Sequence, residues 1–471
     1  MKTIIGLEIH VQVSTATKLF CGCSTDYQDD APNTHCCPVC LGLPGALPRL
    51  NKKAVEYGLR VAKALDMRVL EESEFARKNY FYPDLAKAYQ ITQHDKPLAV
   101  EGTIEIEDDE GHEKIVRITR VHLEEDPGRL VHVTGASKYS LVDYNRSGIP
   151  LLEIVTEPDM RSPQEARRFL NKLRTILEYL GVFDGDREGG LRVDANISLE
   201  GSERVEVKNI SSYKGVEKAL TFEVTRQRNL LRRGLKVARE TRHFMEGRGI
   251  TTSARGKEEE HDYRYFPDPD LRPLRVAERV AEIDLPELPT ARKNRFMEQY
   301  GVSLNHARTL TGDPKLADFY EEVAHIDPAL AATWVADTLL GELNYRDMGI
   351  VAVPPGYITE LLELLKAGTI TDRAGVQVLR EMLDACVEGR PCEKPTTIVK
   401  REKLGRAAGD EFTSVVQAVI SANPQAVEDY RSGKEGALNF LVGQVMKETR
   451  GRADPRELRR IVSESIKMGE V

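Results

Sequence analysis

The chain has 471 residues, of which 41% are hydrophobic and 30% charged, with a formal net charge of −8. A length of this order predicts two or three domains, and the net acidity excludes a protein that coats nucleic acid with its whole surface, though not one with a local basic patch. No apolar run approaches the ~20 residues that cross a bilayer, and Met1–Gly6 enters strand-like alternation at once with no secretion signal, so a cytoplasmic protein is expected.

The first element predicted is a strand over Leu7–Val13. Leu7, Ile9, Val11 and Val13 share one face, while Glu8, His10 and Gln12 share the other. A cysteine cluster follows, Cys21-Gly-Cys23 and then Cys36-Cys37-Pro-Val-Cys40. In a cytosolic chain such a cluster points to metal rather than disulfides. One C-x-C and one C-x-x-C match the knuckles of a structural tetrahedral Zn²⁺ site, with Cys21, Cys23, Cys37 and Cys40 as ligands and Cys36 spare.

Two segments dense in donors and aromatics come next, Arg77-Lys78-Asn79-Tyr80-Phe81-Tyr82-Pro83-Asp84 and Tyr89-Gln90-Ile91-Thr92-Gln93. A second alternating strand, Arg120-Val-His122-Leu-Glu124, runs into Glu125 and Asp126. Alternation puts Glu124 on its polar face, whereas a bulge at the strand end would present Glu125 instead. Asp143-Tyr144-Asn145-Arg146 repeats the donor–aromatic mixture. Ser162-Pro163-Gln164-Glu165 then has the form of a helix N-cap with proline at the first helical position. Ala166, Phe169, Leu170, Leu173, Ile176, Leu177 and Leu180 follow at helical spacing, up to Gly181. Leu191–Leu199 alternates again, with Arg192, Asp194, Asn196 and Ser198 facing out, and Arg204-Val-Glu206-Val-Lys208 does the same. A further helix is expected from Tyr213 to about Gly234, and Asp262-Tyr263-Arg264-Tyr265-Phe266-Pro267 is another donor–aromatic segment.

The character changes at Ile283-Asp-Leu-Pro-Glu-Leu-Pro289, after which the chain reads as helical to its end, with Pro354-Pro355 and Cys392–Pro395 as punctuation. Domains are therefore expected at 1–288, 289–397 and 398–471. The last of these is locally basic, with seven Lys/Arg against four acids between Lys447 and Lys467. Phosphate contact by Lys447, Arg450, Arg452, Arg459 and Arg460 is one reading, and a solvated helix face the other.

Several carboxylates on one sheet face repel one another unless a cation neutralises them, and hard oxygen ligands suit Mg²⁺ with substrate phosphates. Arginine, lysine and aromatic clusters can clamp phosphates and stack bases. Neither a P-loop nor a dinucleotide-binding glycine motif is present.

Taken together, Gly6–Val11, Cys37–Gly42, Arg77–Asp84, Ala88–Gln93, His122–Asp126, Asp143–Pro150, Glu153–Pro158, Arg192–Ser198 and Asp262–Pro269 closely resemble the GatB/GatE family of tRNA-dependent amidotransferases. Gly433–Gln444 and Gly451–Pro455 resemble that family's YqeY-type tail. The short Arg272–Leu288 stretch leaves no room for the inserted domain of the GatE branch, which favours GatB.

The resemblance implies an α+β protein, with a mainly antiparallel β cradle, a helical domain and a small all-α tail. It implies a ligase component that uses ATP to phosphorylate the side-chain carboxylate of misacylated Asp-tRNA(Asn) or Glu-tRNA(Gln). Ammonia from the glutaminase GatA, bridged by GatC, then displaces the phosphate. It further implies a Mg²⁺ site at Glu8, His10 and Glu125 with Glu124, Asp194 and Glu206 nearby, and phosphate or transition-state contacts from Lys78, Arg77 and Lys208. Tyr80, Tyr82, Tyr89, Gln90, Asn145, Arg146 and Arg264 are the remaining expected nucleotide contacts. Many family members lack the cysteines, so zinc is expected to be structural. The alternative is a zinc-containing, tRNA-binding scaffold with no chemistry of its own.

Overall fold

A computed structural model describes residues 1–132, 139–185, 187, 189–254, 263–406, 409–449 and 455–468. The chain divides into two compact units, Met1–Leu288 and Pro289–Val471. The architecture is α+β, as the alternation and the later helical periodicity predict.

The first unit is built on a nine-stranded sheet. Its strands, numbered here in chain order, are β1 (Thr3–Gln12), β2 (Arg68–Val69), β3 (Ala99–Glu107), β4 (Glu113–Glu125), β5 (Pro150–Thr156), β6 (Leu191–Leu199), β7 (Val205–Ile210), β8 (Glu240–Met245) and β9 (Ile250–Ser253). They lie side by side in the order β9-β8-β7-β6-β1-β5-β4-β3-β2. Every neighbouring pair is antiparallel except β7 and β8. That parallel pair is joined by the helix α3 (Tyr213–Arg232), the crossover that parallel strands require. The first strand of the chain is therefore central, between two strands that follow it by well over a hundred residues.

One face of the sheet is the core. Leu7, Ile9, Leu123, Leu152, Ile154, Val193 and Ala195 are almost fully buried there, beneath α1 (Lys52–Ala64), α2 (Pro163–Tyr179) and α3. Each helix begins at a side-chain cap, of which the sequence predicts the one at Ser162. Asn51 accepts from the Lys53 and Ala54 amides, Ser162 from Glu165 and Ser212 from Gly215. Gly181 stops α2 in the left-handed conformation (φ +64°), which glycine adopts without steric cost. Gly58 lets α1 lie against the sheet, since a Cβ there would stand 2.4 Å from Leu98 Cδ1 and 3.4 Å from Leu152 Cδ1. The opposite face of the sheet is polar. Beside it, a small three-stranded sheet pairs Phe266–Pro267, Ala76–Asn79 and Tyr89–Thr92.

The second unit is helical throughout its described residues and has two separate apolar cores. One runs from Phe296 to Leu404 and includes Ile398 and Val399. The other joins Val416, Val419, Leu438, Leu441, Val445, Leu458, Val462 and Ile466. No described helix is long and apolar enough to cross a membrane.

Candidate functional site

The polar sheet face assembles from register. Arg192, His10, Glu153 and His122 are Cα partners in one row across β6, β1, β5 and β4. The next row reads Asp194, Glu8, Val155 and Arg120. Facing residues on adjacent strands sit about 4.5–5.5 Å apart, so these rows concentrate charge in a small area. They floor a cavity of about 630 Å³, whose walls include Lys78, Tyr80, Gln90, His94 and Tyr265.

Two clusters of metal-ligating groups stand on this floor: His10 with Glu124 and Glu153, and Glu8 with Asp194 and Glu206. Within each, the donor atoms lie within 4.8 Å of one another. His10 Nε2 is 3.5 Å from Glu153 Oε2 and 3.7 Å from Glu124 Oε1. His122 Nε2 is 3.3 Å from Glu153 Oε2, while its Nδ1 is buried without a partner among the described residues.

Burial works against a charge on His10, yet Glu153 and Glu124 outweigh it and hold the imidazole protonated up to about 9. Burial likewise opposes the Glu153 carboxylate, but His122 and His10 keep it ionised well below the ordinary range. In the second cluster, burial followed by repulsion from Glu153, Asp194 and Glu206 raises Glu8. Asn196 Nδ2 donates to Glu8 Oε1 at 3.0 Å and Thr241 Oγ1 to Glu206 Oε2 at 3.0 Å. Lys208 Nζ lies 3.5 Å from Asp194 and 3.2 Å from Glu206. Those acids raise its pKa although burial opposes the charge. Crowded acids and a proton-retaining histidine are what a divalent cation would relieve, so both donor sets fit such an ion.

Of the residues expected from sequence, Glu8, His10, Glu124, Asp194, Glu206, Lys208, Lys78, Tyr80 and Gln90 come together here. Glu125 does not. It turns to the other side of β4, pairs with Lys87 and accepts from the Ile91 amide at 2.9 Å, because the strand ends without a bulge and Glu124 takes the cavity face. Arg77 is held by Asp268 at 2.8 Å and Asp270 at 2.9 Å and lies over the Tyr89 ring. Asn145 accepts from the His35 amide and donates to Ala31 O, and Arg146 donates to the carbonyls of Pro127 and Gly128. Tyr82 is exposed, and the Arg264 carbonyl accepts from Asn79. These six residues therefore frame the site rather than line it. Sequence reasoning assigned no role to Glu153, His122, Arg120, Arg192 or His243. For Glu153 the signal was a single acid inside the apolar run Leu151–Val155. Arg192 is aimed by a buried carboxylate: its Nη2 is 2.6 Å from Asp126 Oδ1, and Gln12 donates to Asp126 Oδ2 at 3.1 Å.

Sγ atoms of Cys21, Cys23, Cys37 and Cys40 form a third cluster, again within 4.8 Å. Cys37 and Cys40 are 3.8 Å apart, the edge of a tetrahedron of sulfurs at ~2.3 Å from zinc. A hydrogen bond from Cys21 is the main cause that brings Cys40 down to about 4, and the Lys18 cation adds to it. Lys18 is fully buried, with Nζ 2.7 Å from His35 O and 3.8 Å from Cys40 Sγ. Four converging sulfurs with a cation beside them fit a metal knuckle. Cys36 stands outside the set, 4.0 Å from Asn145 Oδ1.

In the tail, Lys447, Arg459 and Arg460 are exposed, and Arg460 pairs with Glu464 at 3.3 Å. Arg450 and Arg452 lie outside the described residues.

The sheet-borne cavity and the helical unit coincide with two family models. The GatB/GatE catalytic domain matches residues 3–282 and the GatB domain matches residues 318–466. The chain belongs to the GatB/GatE family of tRNA-dependent amidotransferases. Its relatives named as the B subunit of aspartyl/glutamyl-tRNA(Asn/Gln) amidotransferase include a Methanoregula boonei protein, 66% identical over 99% of this chain and 98% of that one. One from Methanospirillum hungatei is 66% identical over 99% of this chain and 98% of its own length. A third, from Methanosarcina barkeri, is 54% identical over 98% of each.

Proposed function

We propose that this chain activates the side-chain carboxylate of Asp-tRNA(Asn), Glu-tRNA(Gln) or both with ATP, as the GatB component of a complex with GatA and GatC. A carboxylate resists attack by ammonia because its oxygen is a poor leaving group. In the proposed reaction a carboxylate oxygen attacks the γ-phosphorus and the bond to the β-phosphate oxygen breaks, giving an acyl phosphate and ADP. Ammonia then attacks the acyl carbon, phosphate leaves, and the amide remains on the tRNA.

The observation that carries this reading is the convergence of two acid clusters and several cations in one cavity. Mg²⁺ held by His10, Glu124 and Glu153, and by Glu8, Asp194 and Glu206, would screen charge on the nucleotide phosphates. Lys208 and Arg192 supply fixed positive charge where negative charge develops, each already oriented by an acid. Lys78 extends from the small sheet with its ammonium 4.7 Å from the Tyr263 ring centre. A walled cavity also limits hydrolysis of the acyl phosphate. The Lys87–Glu125 pair lies behind this wall and braces the strand that carries Glu124. Zinc at the four cysteines is structural, tying the 21–40 loop to the Tyr144–Ser147 segment through Lys18 and Asn145.

The test is amide formation by the reconstituted complex with ammonia supplied, ATP and each misacylated tRNA in turn. Asp194→Asn or Glu8→Gln should lower the rate at least about a hundredfold. Unchanged amidation in both would favour the non-catalytic scaffold instead.

A further inference from the structure

Four lysine and arginine side chains line the cavity: Lys78, Arg120, Arg192 and Lys208. Lys208 is paired with Asp194 and Glu206, and Arg192 with Asp126. Among the described residues, Arg120 forms no ion pair and no side-chain hydrogen bond, and its Nε is buried without an acceptor. A buried N–H left unpaired is costly, and more so when charged, so a guanidinium held this way in a walled cavity is prepared for an acceptor that arrives from outside.

Register fixes where that acceptor would sit. Arg120 faces Val155, and Val155 faces Glu8, so an apolar residue separates the guanidinium from the nearest acid in its row. Two strand spacings place the Arg120 and Glu8 backbones roughly 10 Å apart, and one pleat repeat places Arg120 about 7 Å from His122. The stacked pair His94–Tyr265, with ring centres 3.9 Å apart, stands in the same cavity wall. The cavity is thus divided. Its acidic part is built to hold cations and, through them, phosphates. Its Arg120 part holds a guanidinium that, among the described residues, has no ion-pair partner.

We infer that Arg120 is the specificity-determining residue that binds the free side-chain carboxylate of the aminoacyl group, which rests on the function proposed above. A guanidinium presents two parallel N–H groups that match a planar carboxylate, and the pairing is stronger than a neutral hydrogen bond. The acid clusters would otherwise repel that carboxylate. The amide product is neutral and loses the contact, so the same residue favours release of the finished aminoacyl group.

The experiment uses the assembled complex carrying wild-type chain, Arg120→Lys or Arg120→Met, with melting curves confirming that each variant is folded. Equilibrium binding of misacylated tRNA is compared with binding of the same tRNA carrying the amide, and KM for tRNA and for ATP is measured with ammonia supplied. The wild type should prefer the misacylated form by at least about tenfold, the worth of a charge-assisted hydrogen bond. Arg120→Met should bring that ratio near one, and Arg120→Lys should fall between. KM for misacylated tRNA should rise about tenfold while KM for ATP stays within about twofold. An unchanged binding ratio in Arg120→Met, or an effect confined to ATP, would overturn the assignment. Absence of ATP-dependent amidation in the wild type would instead refute the proposed function, and the binding ratio would still report on Arg120.

Discussion

Glu153→Gln removes one charge from the centre of the site while keeping the shape of the side chain. Glu153 Oε2 lies 3.5 Å from His10 Nε2 and 3.3 Å from His122 Nε2. At such a separation two unit charges interact by roughly 4–5 kcal/mol at an effective dielectric of 20, before desolvation is subtracted. The net effect is read from His10, which burial alone would push down and which its carboxylates hold at about 9 rather than 6.5. That difference corresponds to about 3 kcal/mol at most. Glu124 remains 3.7 Å away in the variant, so His10 should fall only part of the way. The assay is a pH titration of ring-labelled histidine signals in metal-free protein, with His10 assigned through His10→Gln, alongside denaturant unfolding at pH 7. Glu153→Gln should be about 2 kcal/mol less stable at pH 7. The gap should narrow above pH 9, where His10 is neutral in both proteins. A His10 midpoint that moves by less than about 0.3 would refute the electrostatic account of this row.

Four further outcomes are expected. In metal-free protein the stability contributed by His10 is fully present below pH 6.5 and is lost as pH rises through about 9, because its pKa is raised on folding; melting temperatures across that range should show the loss, and His10→Gln should abolish it. Divalent binding to the His10 cluster must displace that proton, so calorimetry should show proton release on metal binding and affinity that weakens as pH falls. Zinc should be found at one ion per chain by elemental analysis, retained in Cys36→Ser and lost in Cys37→Ser, with the first unit melting about 5 °C or more lower. Gly58→Val should destabilise the first unit by about 2–3 kcal/mol in denaturant unfolding, since the added atoms meet Leu98 and Leu152 in a packed core.

Alternation alone separated the core face from the site face on β1, β4, β6 and β7, because a period of two leaves a half-buried strand no other arrangement. It also chose between Glu124 and Glu125 once the absence of a bulge at that end of β4 was known. Strand order was beyond its reach: the sequence of β1 carries no sign that its neighbours are β5 and β6. β5 was hidden for a related reason. As an inner strand flanked by apolar residues it reads as a continuous apolar run, and only its lone acid marks Glu153 as exceptional. In Asp143–Arg146 composition gave no sign that Asn145 and Arg146 donate to the backbone carbonyls of Ala31, Pro127 and Gly128. Arg120 was visible as a polar-face residue, but the absence of a partner is a property of three-dimensional surroundings and of no sequence pattern.

The central place of β1 has a consequence for how the protein is made. Gln12 pairs with Leu151 and Thr3 with Leu199, so β1 leaves the ribosome long before either of its neighbours and waits longest for β6. Until then its edges expose unpaired amides and carbonyls beside an apolar face, a template for wrong partners. At ~5–20 residues per second that interval lasts on the order of ten seconds or more, during which shielding by chaperones would govern the yield of native cradle.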